Sequence, residues 1–75
     1  MNVVDVLIHV NETLDNNQRV QLEQTMRDVD GVIAPRFNPD HPHLMLVAFD
    51  PQFVHSKTLL QEVNAVGYHA QLIGV

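Results

Sequence analysis

The sequence predicts an α+β fold with the element order β-α-β-β-α-β, and three observations predict it. Four short stretches are rich in Val, Ile and Leu or alternate with period two. Two longer stretches carry apolar residues at spacings of three and four. Turn formers separate the six in that order. At 75 residues the chain has room for one such domain, residues 1–75, and no second.

Each element can be justified in turn. From Val3 to Val10, the set Val4, Val6, Ile8 and Val10 alternates with Val3, Asp5, Leu7 and His9, the pattern of a strand with one wetter face. Residues 11–17 are polar and loop-like. Leu22, Met26 and Val29 then form a helical stripe, so a helix is expected from about Asn16 to Asp30, with Gly31 as its stop. Val32 to Asn38 and His43 to Asp50 read as two strands joined by Asn38-Pro39-Asp40-His41-Pro42, a run dense in turn formers. Asp50-Pro51 ends the second of them. Leu59, Leu60, Val63 and Val66 mark a second helix that stops at Gly67, and Tyr68 to Val75 is the final strand.

This order is the ferredoxin-like split βαβ arrangement: a four-stranded antiparallel sheet, strand order 4-1-3-2, with two helices on one face. Pro35 agrees with it, because proline donates nothing to a ladder and the second strand is an edge.

Composition narrows the function. The chain is 45 % hydrophobic, a globular balance, and it has no cysteine, so disulfides and thiolate metal sites are both excluded. Four basic residues against nine acidic ones give a net charge of −5, which disfavours contact with phosphate backbones and so nucleic acid as a partner. No basic region precedes an apolar stretch at the start, and no apolar run approaches the roughly 20 residues of a membrane span. Neither a signal peptide nor membrane insertion is expected, and the location expected is cytoplasmic. No nucleophile-base pair, glycine-rich phosphate loop or His-Glu-x-x-His helix is present, so the chain is not expected to be an enzyme.

Phe49-Asp50-Pro51 with Val54, then Leu59-Leu60, Val63 and Gly67-Tyr68-His69-Ala70, resembles the second half of the heavy-metal-associated domain of copper chaperones and metal-pumping P-type ATPases. Asp30-Gly31-Val32 resembles that domain's turn into its second strand. The resemblance implies a metallochaperone-like domain with its metal at the start of the first helix. Counting back from Gly31 sets Asp15-Asn16-Asn17-Gln18 over the family's Cys-x-x-Cys, so hard oxygen ligands stand where the thiolates would be. Cu(I), which prefers soft sulfur, is not an expected cargo. The same Asp15 and Gln18 fit a helix capping box.

Histidine is the remaining metal-ligating type, at positions 9, 41, 43, 55 and 69. The predicted topology carries His9, His41, His43 and His69 to the end where the first helix starts, and His55 to the other end. Face parity sets His9 and His69 outward on neighbouring strands. If directly opposite, their Cβ atoms would be about 4.5–5.5 Å apart, close enough to share an ion. A divalent transition metal (Zn, Cu(II) or Ni) on these four histidines is therefore the expected ligand.

The alternative function is a metal-free interaction or oligomerisation module of the same fold. Its support is Leu44-Met45-Leu46-Val47-Ala48-Phe49, apolar on both faces of a strand that helices cover on one, which leaves an open sheet face for a protein partner or self-association.

Overall fold

The computed structural model describes residues 2–74. Its elements are β1 (Val4–Val10), α1 (Asn16–Arg27), β2 (Val32–Asn38), β3 (His41–Phe49), α2 (Ser56–Val66) and β4 (Ala70–Gly74). The sheet order is β2-β3-β1-β4 with every neighbouring pair antiparallel, which is the expected 4-1-3-2 arrangement.

Alternation decides which side chains enter the core. Val6, Ile8 and Val10 of β1 and Met45, Val47 and Phe49 of β3 point to the helices, where they meet Leu22 and Met26 of α1 and Leu59 and Val63 of α2. Ile8, Leu22, Met26, Met45 and Leu59 are fully buried. Burial of side chains this size contributes about 1.5–3 kcal/mol each. The opposite face carries Leu7 beside Leu46, His9 beside Leu44 and Asp5 beside Ala48. It is therefore a mixed surface with Leu46 exposed and Leu7, Leu44 and Ala48 half-buried.

Pro35 lies on the edge strand as expected, opposite Val47. Gly67 ends α2 in the left-handed conformation, φ 115°. Three boundaries differ from the sequence reading by more than one residue. α1 ends at Arg27 instead of Asp30, because Asp28 N–H still bonds Gln24 O whereas Val29 N–H turns back to Met26 O, tightening the last turn. Val29 keeps its place against the core without being helical.

Gly31 accordingly does not cap the helix. It sits in the turn into β2 at φ 96°, where a Cβ would lie 2.8 Å from that of Phe53. β3 begins at His41 instead of His43, since the turn is only Pro39-Asp40 and Asn38 pairs with His41. β4 begins at Ala70 instead of Tyr68; its expected last residue, Val75, lies outside the described residues.

Candidate metal site

The loop that enters α1 is held by its own side chains. Asp15 Oδ1 accepts from Gln18 N–H at 2.8 Å, and Gln18 Oε1 accepts from Asp15 N–H at 2.9 Å, the reciprocal capping box expected from the sequence. Arg19 adds a bond from Nη1 to Leu14 O at 2.6 Å. One oxygen of each side chain aligned with the Cys-x-x-Cys is thus committed to the backbone. Asp15→Ala is expected to cost about 0.5–2 kcal/mol, the usual loss for an N-cap. Chemical denaturation with and without chelator checks this, and a loss seen only in metal-loaded protein would mark Asp15 as a ligand.

The sheet brings His9, His41, His43 and His69 to this same end, while His55 stands before α2 at the other. The register does not set His9 against His69. Antiparallel pairing of Ile8 with Leu72 and Val10 with Ala70 puts Gln71 opposite His9, and Asn11 N–H bonds His69 O at 2.8 Å. His9 is instead near His43, their ring centroids 5.5 Å apart and their planes 16° from parallel.

An irregularity in β3 accompanies that contact. Pairing with β2 jumps from Phe37–Met45 to Asn38–His41, so residues 42–44 stand outside it. Such bulges re-aim side chains. His43 is half-buried and its Nδ1 lies 2.8 Å from Val10 O.

Each of three rings has its Nδ1 on an oxygen, and the oxygens come from three consecutive residues. His43 Nδ1 meets Val10 O at 2.8 Å, His9 Nδ1 meets Asn11 Oδ1 at 3.1 Å, and His69 Nδ1 meets Glu12 Oε2 at 2.7 Å. These oxygens accept, so each Nδ1 carries the proton and a neutral ring leaves Nε2 as its open base. Orientation of a ligating histidine by a carbonyl or carboxylate on its other nitrogen is the usual second layer of a metal site. His41 is exposed beside the pair, in a shallow depression lined by His9, Asp40, His41, Pro42, His43 and Leu44. Among the described residues, no three His, Asp or Glu side chains already stand together as a metal cluster.

Glu12 is a site residue that the sequence did not indicate. Besides the ring, its carboxylate accepts from His69 N–H at 2.9 Å, tying the loop after β1 to the approach to β4. The His69 ring bond, then the His69 backbone bond, hold the Glu12 carboxyl below its ordinary value. Bonds to the charged form stabilise the fold above the ordinary glutamate range, and that contribution disappears as pH falls through the lowered value. No local signal marks Glu12, because its partner is 57 residues away.

The three rings offer borderline nitrogen donors, which fit Zn(II), Cu(II) or Ni(II) and not a thiolate-seeking ion. No protein-family model and no curated protein matches the sequence. Solved structures do match. A copper-binding domain from HMA7, a P-type ATPase, is similar at 18 % identity over 93 % of either chain, with a TM-score of 0.85. Oxidized MerP from Ralstonia metallidurans CH34 is similar at 15 % identity over 95 % of this chain and 97 % of its own, TM-score 0.83. The apo form of the copper chaperone of Enterococcus hirae is similar at 22 % identity over 91 % of this chain and 98 % of its own, TM-score 0.81. At these identities the likeness is one of fold: the chain has the ferredoxin-like βαββαβ fold of heavy-metal-associated domains, built without their Cys-x-x-Cys.

Proposed function

We propose that this chain is a non-enzymatic, metallochaperone-like domain of the cytoplasm that carries a divalent transition ion (Zn, Cu(II) or Ni) on histidine. His9 and His43 are the primary ligands, with His41 and His69 as further ligands. The observation that carries the reading is the commitment of three Nδ1 atoms to oxygens of residues 10–12, which leaves three Nε2 atoms free. Imidazole lone pairs lie in the ring plane, so two nearly parallel rings cannot both point at one ion. One must turn. His43 is half-buried on a backbone carbonyl, whereas His9 is held only by a surface amide, so His9 is the ring that rotates. A set of two or three imidazoles also leaves a coordination position for an acceptor, which suits a carrier better than a structural site.

Zinc titration followed through histidine ring signals by NMR tests this. His9 and His43 should shift together with one-site saturation, His55 should not move, and binding should weaken on acidification, because protons compete with the ion for imidazole nitrogen. If no histidine responds at millimolar zinc, the metal reading fails and the metal-free interaction module, acting through the face that exposes Leu46, takes its place.

A further inference from the structure

The two edges of the sheet differ in the hydrogen-bonding groups they offer. On β2 the donors directed away from β3 fall at Val32, Pro35 and Phe37. Val32 N–H bonds Val29 O at 3.1 Å, Pro35 has none, and Phe37 N–H bonds Glu23 Oε2 at 2.7 Å. The register shift between Val32 and Ala34 bends the strand as well. Every outward donor on that edge is therefore spent or missing, a standard protection against strand addition.

The β4 edge differs. Asn11 N–H on His69 O makes residues 11 and 69 a hydrogen-bonded pair, and alternation makes 9 and 71 the next. Ala70 and Leu72 thus direct their backbone groups to the open edge. Ala70 N–H is taken by Asn64 Oδ1 at 3.2 Å. No side chain among the described residues takes Leu72 N–H, and the carbonyls of Ala70 and Leu72 face the same way. The strand reads Ala-Gln-Leu-Ile-Gly, uncharged in a chain of net charge −5, and it exposes both Leu72 and Ile73.

We propose that β4 is a pairing edge for a second copy of this chain, which joins two four-stranded sheets antiparallel about a two-fold axis at Leu72. On that axis Leu72 N–H and C=O of one copy meet C=O and N–H of Leu72 in the other. No charges are opposed along β4, and like charges in direct opposition are what would forbid such a pair. The blocked β2 edge excludes the head-to-tail alternative, in which β4 of one copy adds to β2 of the next and grows a fibre. Only the closed, isologous pairing remains. This inference does not rest on the metal reading.

The test is sedimentation of the 75-residue chain in chelator, with amide hydrogen exchange on the same samples. Between about 10 μM and 1 mM the mass should rise from monomer toward dimer, the range expected for a weak interface. Leu72 N–H should gain protection in step. Leu72→Lys places two like charges across the axis and should raise the dissociation constant at least about tenfold, whereas Leu46→Lys on the open face should leave it unchanged. A chain still monomeric at about 1 mM overturns the proposal. So does a dimer whose Leu72 N–H exchanges freely, or one dissolved by Leu46→Lys and not by Leu72→Lys. Exchange on the unmodified chain decides the matter even if Leu72→Lys fails to fold.

Discussion

Replacing Ile8 by alanine is expected to destabilise the domain by about 2–5 kcal/mol, the range for emptying a fully buried site of this size. Ile8 is wholly excluded from solvent at the middle of β1, flanked by Met45 on one side and Leu72 on the other. It belongs to the strand that both neighbours need, so a cavity there has little room to collapse. A domain of this length has a total stability of only several kcal/mol, since native proteins hold roughly 0.05–0.15 kcal/mol per residue. The change therefore takes a large share of it. Val20→Ala is the contrast: its side chain is 62 % exposed on α1, and a change within about 0.5 kcal/mol is expected. Urea denaturation of both variants checks the pair, and equal losses would show that the core has been assigned to the wrong face.

His43→Ala is expected to lower zinc affinity at least about a hundredfold. Loss of a mere supporting partner in a metal site costs about 10–100-fold, and in the proposed site His43 would be both a ligand and the ring that His9 turns against. Glu12→Gln should fall within that smaller range, because it weakens only the bond that orients His69. His55→Ala should change nothing. Calorimetric zinc titration at neutral pH, beside urea denaturation of each apo variant, separates lost ligation from lost fold. Affinity unchanged in His43→Ala would remove His43 from the site and leave His9, His41 and His69 as a loose surface chelate.

Much of this architecture could be read from the chain itself, for reasons that are local. The period of two in β1, the apolar spacing in α2 and the glycine at its end are each encoded within a few residues. So is the capping box, whose two partners are three positions apart. Strand order followed from element order, and Pro35 agreed with it. The shared end of His9, His41, His43 and His69 followed from topology alone.

What could not be read depends on distant pairing. Whether Gln71 or His69 faces His9 is a matter of register between strands about sixty residues apart, and nothing local fixes it. The approach of His43 to His9 accompanies a break in the β2–β3 ladder, which a sequence rich in turn formers before His43 and apolar on both faces after it does not mark. Val29 shows a subtler limit: its spacing from Met26 correctly marked burial, but a tightened turn satisfies the same spacing as another helical turn would.

The oxygens that orient the three imidazoles belong to adjacent residues at the exit of β1, and this has a dynamic consequence. Hydrogen bonds to Val10, Asn11 and Glu12 fix the tautomers of His43, His9 and His69 from one short stretch of backbone. Local opening of a few residues at a strand end takes far less free energy than global unfolding. An opening that displaces residues 10–12 would free all three rings to exchange tautomers and swing away together, in one step and not ring by ring.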